Sequence, residues 1–352
     1  MNLTDKLDGL YRSYGYRQFK VNKFEEYDYY ARNKDFLVSN RIISFTDTNG
    51  KLMALKPDVT LSVIKNSKDD TENTQKVYYN ENVYRVSRGS GNFRENFQTG
   101  LECIGLIDDY SIFETLLLAG LSLKEISEDF VLDISNLDII SGVMGKLSLP
   151  PEAREKAMGY VEHKDIHDLK ILCEKYQVSK EGFNALSLLI SACGRPEKVI
   201  EKLKEIPSGY LEKESFEKLC RICLALDKEL SGRVNIDFSI VSDIKYYNGF
   251  MFNGFICEIP RVVLSGGQYD RLLRGMGRKS QGLGFAIYMD ALELYNKSGA
   301  EKDCDVLLLY GENDDPEKIY AAVKEIRSEG KSVCAEKTKP EKIRCGEVRR
   351  IG

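Results

Sequence analysis

The chain has 352 residues, of which 42% are hydrophobic and 30% charged, enough for a sizeable core and more than one domain. Its net charge of -4 supplies no general pull toward a phosphate backbone, which counts against a dedicated nucleic-acid binder. The N-terminus MNLTDKLDGLYRSYGYRQF has no apolar run for a signal peptide, and no later stretch reaches the ~20 apolar residues that span a bilayer, so a cytoplasmic protein without a membrane partner is expected.

Asn2 and Thr4 are candidate caps of a first helix that places Leu3, Leu7, Leu10, Tyr11 and Tyr14 on one face and ends at Gly15. From Arg41 to Leu55 two short β-prone runs surround Asn49-Gly50, a hairpin signal that leads directly into LKPDVT. A helix from Thr60 to Ser67 comes next. Lys76 to Val86 and Phe97 to Ile107 are β-type runs flanking the polar loop SRGSGNFREN; Ser111 to Ile126 is helical and Phe130 to Ile134 a strand.

Between about Asp138 and Lys228 leucines and isoleucines recur at helical spacing, broken at Pro150-Pro151 and at Pro207-Ser208-Gly209, as in a helical insertion. Strand character resumes over Arg233 to Val241, Gly249 to Ile259 and Val262 to Leu264. A glycine-rich stretch then runs to Ile287, its glycines at 266, 267, 275, 277, 282 and 284 expected to form tight turns lining a pocket. From Asp303, DCDVLLLY, a helix from Pro316 to Gly330 and the strand SVCAE start an α/β layered unit, followed by a basic tail of solvated charges. The organisation expected is a core domain over 1–137 and 229–299, a helical insertion over 138–228, and a partial α/β segment over 303–352.

The nine cysteines are scattered; Cys220 and Cys223 form the one close pair, without a second pair at metal-ligand spacing, so reduced and mostly buried thiols are expected. His163 and His167 stand four apart on the insertion and lack a third ligand, which makes them exposed helix residues and leaves no metal site.

Four segments in order, LKPDVT, YRVSRGSGNFRENFQTGLECIG, YYNGFMFNGF and LSGGQYDRLLRGMGRKSQGLGFAI, resemble the pocket segments of histidyl-tRNA synthetase, a class II aminoacyl-tRNA synthetase. The resemblance covers residues 1 to about 295. It implies an α+β fold: a class II synthetase-like antiparallel sheet flanked by helices, with a helical insertion and a truncated C-terminal α/β unit.

An α-ammonium needs carboxylate or amide acceptors, and an imidazole needs a carboxylate or phenol at fixed distance. By the resemblance, Asp58, Thr60 and Gln98 match the positions that hold the ligand's amino group, with Asp in place of the usual Glu and so a shorter reach. Glu102 matches the imidazole-reading carboxylate, and Tyr247 and Tyr269 the two pocket tyrosines, while Arg85 and Tyr246 complete the histidine-binding set. On an arbitrary strand such residues would form a satisfied polar network with core aromatics; the four aligned segments favour a pocket.

Amino-acid activation builds charge on a phosphate, so it needs fixed cations at the reaction centre. The family's Arg-Gly-Leu-Asp before the paired tyrosines is Ser242-Asp243-Ile244-Lys245 here, its adenine-stacking arginine after Gly-Phe-Ala is Ala291, and the glutamate two residues after Arg85 is Ser87. Two lost cations correspond to several kcal/mol of transition-state stabilisation, on the order of a thousand-fold in rate, unless Lys245 or Arg278 takes their place.

A synthetase-shaped chain with a histidine pocket but without activation chemistry resembles the regulatory-subunit family of short-form ATP phosphoribosyltransferase, the first enzyme of histidine biosynthesis. That resemblance implies no cofactor, L-histidine as effector, and a separate catalytic subunit as partner. It also implies a homodimer, formed through the Leu3 to Tyr14 face and the strands after it, within a larger hetero-oligomer. The partial C-terminal unit argues against tRNA as a partner. The rival readings are a divergent histidyl-tRNA synthetase and a stand-alone histidine-sensing module.

Overall fold

The computed structural model describes residues 2–33, 42–87, 91–241, 247–296, 302–340 and 342–351, with backbone alone over 293–296. Arg41, Ser242, Asp243, Ile244, Lys245 and Tyr246, singled out above, lie outside the described residues. The chain divides into two units, Met1–Leu292 and Glu293–Gly352.

The first unit opens with α1 (Leu3–Ser13), β1 (Arg17–Gln18), β2 (Phe24–Glu26), α2 (Tyr27–Arg32), β3 (Ser44–Thr46), β4 (Leu52–Leu55) and α3 (Val59–Asn66). The long strands β5 (Gln75–Val86) and β6 (Phe93–Gly105) follow, then α4 (Asp109–Ile126) and β7 (Phe130–Asn136). Next come α5 (Leu137–Gly145), α6 (Pro151–Glu162), α7 (Ile166–Lys175), α8 (Lys180–Ser191), the two-residue β8 (Cys193–Gly194), α9 (Pro196–Leu203) and α10 (Lys213–Glu229). The unit ends with β9 (Val234–Asp237), β10 (Asn248–Ile256), β11 (Leu264–Gln268), α11 (Asp270–Gly275), β12 (Gln281–Tyr288) and α12 (Met289–Asn296), the last running across the boundary.

These strands form a nine-stranded sheet ordered β1-β5-β6-β12-β11-β10-β7-β9-β8. From β5 to β7 every neighbour is antiparallel; β1 joins β5, and β9 joins β7, in parallel. Side-chain capping fixes several helix starts: Asp58, Asp108, Asn136 and Ser179 accept from the first-turn N–H groups of α3, α4, α5 and α8. The β3–β4 hairpin forms at the expected place, where Gly50 has φ +80° and Asp47 Oδ1 accepts from Asn49 N and Lys51 N at 2.8 Å each.

One face of the sheet is covered by α1 and α4. Leu7 and Tyr11 are fully buried; the Tyr11 hydroxyl is 3.0 Å from Ser122 Oγ on α4, and its ring meets Phe285 of β12 edge-on at 6.1 Å. The centre of the Leu3–Tyr14 face therefore packs within its own chain, leaving Leu3, Leu10 and Tyr14 only half-buried.

Three local expectations need correction. Gly266, Gly267, Gly282 and Gly284 lie inside β11 and β12 rather than in turns, and glycine's poor strand propensity is what hid these strands. Gly277, with φ +76°, does occupy a turn. His163 and His167 are exposed as expected but not on one helix, since His163 is the C-cap of α6 and His167 lies in the first turn of α7, with Lys164 at φ 53° between them. Of the nine free cysteines four are buried, Cys103, Cys173, Cys223 and Cys304, while Cys193 and Cys257 are exposed.

In the second unit β13 (Cys304–Leu309), α13 (Pro316–Ser328), β14 (Val333–Glu336) and β15 (Cys345–Arg350) form a parallel sheet ordered β14-β13-β15 around Val306, Leu308 and Ile326. The basic tail thus contains a third strand, where loose solvated charges were expected. Its charges sit on an edge strand, as edges usually require, and are organised: Arg349 reaches Glu347 at 2.6 Å and Glu329 at 3.1 Å, and Lys331 reaches Glu329 at 2.9 Å.

Because Leu7 is wholly enclosed, Leu7→Ala should destabilise the first unit by about 2–5 kcal/mol. Urea unfolding followed by far-UV circular dichroism would show this as a lower midpoint at unchanged slope.

Candidate functional site

The face of the sheet away from α1 and α4 carries the candidate site. Alternation along β6 puts Gln98, Gly100 and Glu102 on this face. In register, Glu102 stands beside Gly284 of β12, which stands beside Gly267 of β11, while Gly100 stands beside Tyr79 of β5. The absence of side chains here is required. A Cβ on Gly284 would collide with the Glu102 carboxylate, one on Gly267 would lie 2.9 Å from the Tyr247 ring, and one on Gly282 would run into the Tyr269 ring.

Glu102 is 2% exposed and both its oxygens are held. Thr60 Oγ1, in the first turn of α3, donates to Oε1 at 2.6 Å, and the Tyr269 hydroxyl, at the start of α11, donates to Oε2 at 2.6 Å. One carboxylate thus joins three separate segments. Burial pushes its pKa up to about 8 despite the two donated hydrogen bonds, with nearby Asp58 adding a smaller upward push.

Asp58 Oδ1 accepts from Leu61 N at 3.0 Å, so this carboxylate caps α3 as well as facing the site. Burial raises its pKa, opposed by the Leu61 hydrogen bond and the Arg85 cation. Arg85 Nε in turn donates to Pro57 O at 3.1 Å, which ties β5 to the turn before α3. Gln98, 3% exposed, lies between Glu81 of β5 and Tyr288 of β12. Tyr247 and Tyr269 pack in one apolar cluster with Val59, Leu61, Tyr79 and Leu272.

The structure therefore brings together Asp58, Thr60, Arg85, Gln98, Glu102, Tyr247 and Tyr269; Tyr246 is outside the described residues. The arrangement offers a buried acceptor, Glu102, beside the Tyr247 and Tyr269 cluster, with Asp58 and Gln98 as further acceptors.

Two features escaped sequence reasoning. Tyr79 is 1% exposed, lies over the bare Gly100, and has its pKa raised well above the usual tyrosine range by burial and by Glu102 and Asp58. Strand alternation puts one member of the Tyr78-Tyr79 pair on each face, a signal legible only once the register is known. The second is an ion pair between Lys56, fully buried, and Glu81 Oε2 at 2.7 Å, whose Oε1 accepts from Val21 N at 3.0 Å. Nothing in ALKPD distinguishes that lysine from a surface one.

Of the two positions where the sequence lacks the family's arginines, Ser242 lies outside the described residues and the other is Ala291. Ala291 is a buried alanine in the first turn of α12. The Arg278 guanidinium is engaged at the end of α3, donating to Ser67 Oγ at 2.8 Å and Ser67 O at 3.2 Å. Among the described residues no group of three or more His, Cys, Asp or Glu side chains could hold a metal ion.

Comparisons with known proteins show the family and the fold. The family model of histidyl-tRNA synthetase matches residues 1–292. The ATP phosphoribosyltransferase regulatory subunit of Caldanaerobacter subterraneus subsp. tengcongensis is 29% identical over 343 residues, covering 94% of this chain and 88% of that protein. A solved structure from Bacillus halodurans, described as an ATP phosphoribosyltransferase regulatory subunit/histidyl-tRNA synthetase, superposes with a TM-score of 0.79 at 18% identity, covering 99% of this chain and 92% of the other. A chain of the ATP phosphoribosyl transferase (HisG:HisZ) complex from Thermotoga maritima superposes with a TM-score of 0.65 at 20% identity, covering 81% and 96%. The fold is that of a class II synthetase of the histidyl type.

Between about pH 4.5 and 8 the folded chain retains the Glu102 proton that the unfolded chain releases, so its stability falls as pH rises through that window. Thermal melts of wild type and Glu102→Gln between pH 5 and 8.5 should show a shallower decline in the variant. Parallel curves would contradict the assignment of this proton.

Proposed function

The chain belongs to the histidyl-tRNA synthetase family, and we propose that within it this protein is a histidine-binding, non-catalytic regulatory subunit of an ATP phosphoribosyltransferase. The observation that carries the reading is the pairing of a held, buried Glu102 with a buried Ala291 where an activating enzyme needs arginine. The recognition half of the site is built and part of the reaction half is absent. Curated relatives that carry the regulatory-subunit name, from Caldanaerobacter and Bacillus cereus among others, support the same choice.

In this reading Glu102, oriented by Tyr269 and flanked by Tyr247, accepts an imidazole N–H, and Asp58, Thr60 and Gln98 receive the α-ammonium. Arg85, beside Asp58, and Tyr246 complete the ligand's surroundings. Loss of phosphate-facing cations leaves binding without adenylate formation. A separate catalytic subunit carries the phosphoribosyl chemistry, and histidine inhibits it by binding two quaternary states of the complex unequally. Self-association is assigned to the three-stranded sheet β2-β4-β3, where Phe24, Phe45 and Leu52 are 51%, 38% and 46% exposed, together with the remainder of the α1 face.

The test is reconstitution. Added to a short-form ATP phosphoribosyltransferase catalytic subunit from the same organism, the chain should raise phosphoribosyl transfer, and L-histidine should then suppress it. Alone, with ATP and L-histidine, it should exchange no pyrophosphate above a protein-free blank. Histidine-dependent exchange would instead establish a synthetase.

A further inference from the structure

A cleft of about 400 Å³ opens on the face of the sheet opposite Glu102, among β7, β10, β11, β12, α5, α10 and α11. Register fixes its side: Gln268 pairs with Leu283, one step from the Gly267–Gly284–Glu102 row, so its side chain leaves the sheet away from Glu102. We propose that this cleft binds a phosphate-bearing small molecule, at a site separate from the residues around Glu102.

Two buried carboxamides are the central observation. Asn136 and Gln268 are 2% and 7% exposed and both line the cleft. Asn136 Oδ1 accepts from Asp138 N at 3.0 Å and Ile139 N at 3.2 Å, and Gln268 Oε1 accepts from Phe250 N at 2.8 Å. With each oxygen committed to backbone N–H groups, what each side chain has left is its NH2 donor, and neither NH2 has a hydrogen-bond partner among the described residues. Each NH2 opens to the cleft rather than being sealed in the core, and takes its acceptor from whatever occupies the cleft.

The charges around them have the same preference. Lys218, Arg271 and Arg274 line the cleft, with Lys218 also 2.8 Å from Asp109. Arg274 is exposed and forms no ion pair among the described residues. The carboxylates are turned to other tasks: Asp270 accepts from Gly282 N and Asn248 Nδ2 at 3.0 Å each, and Asp138 accepts from Gly249 N at 3.3 Å. Lys218 and Arg274 bring positive charge to the cleft, and arginine forks match phosphate oxygens in geometry. The cleft's volume falls within the range of small-molecule sites, and its almost wholly polar lining excludes an apolar ligand.

Calorimetric titration of the full chain with glycerol 3-phosphate and with inorganic phosphate, at constant ionic strength, tests this. Saturable binding of one equivalent is expected, unchanged in Glu102→Gln and weakened about tenfold or more in Arg274→Ala, a surface change that leaves the fold intact. Exposed Lys180, outside the cleft, provides a charge-matched control whose alanine variant should bind like wild type. No saturable binding, or equal weakening in the Arg274→Ala and Lys180→Ala variants, would overturn the proposal.

Discussion

A single buried carboxylate organises the candidate site. Glu102 needs donors on both oxygens and a strand beside it with no side chain, and three segments far apart in sequence supply these: Thr60 of α3, Tyr269 before α11, and Gly284 of β12. Removing water from a carboxylate is costly unless hydrogen bonds replace it, so the position of each segment is constrained by that one group. The same constraint explains the glycines. Gly267, Gly282 and Gly284 occupy strand positions where Tyr247, Tyr269 and Glu102 already fill the space that a Cβ would take.

The rest of the first unit holds this geometry rigid. Tyr11 and Leu7 of α1 and Ser122 of α4 press on one face of the sheet, so β5, β6 and β12 present the other as a fixed surface. The cap on α3 is Asp58 itself, which links the start of the helix to the candidate site, and Tyr29 donates to Leu61 O at 2.6 Å from the outer side. Beneath them the Lys56–Glu81 pair has one fully buried partner. Removing one member of such a pair costs about 3–5 kcal/mol, far more than the pair contributes over an apolar substitute, so it acts as a positioning device.

Much of this was legible in sequence because polar residues at period two on a β-type run can share a face only one way: Gln98 and Glu102 follow from that rule alone. Histidine as the proposed ligand rests on the four-segment resemblance rather than on periodicity. What sequence reasoning lost has physical causes. The strands at Leu264–Gln268 and Gln281–Tyr288 were hidden because their glycines answer to close approach rather than to propensity. Tyr79 and Lys56 depend on pairing register and on burial, neither of which a local window contains. The final strand, Cys345–Arg350, was masked by the charges that an edge strand carries.

The account stands most directly on whether Glu102 reads an imidazole. Calorimetric titration of the chain with L-histidine, beside a Glu102→Ala variant and with L-glutamine as the competing amino acid, measures this. Saturable binding of L-histidine alone, abolished in the variant, is the predicted result. Binding that survives Glu102→Ala, or that accepts L-glutamine equally, would contradict the claim that this carboxylate defines the ligand.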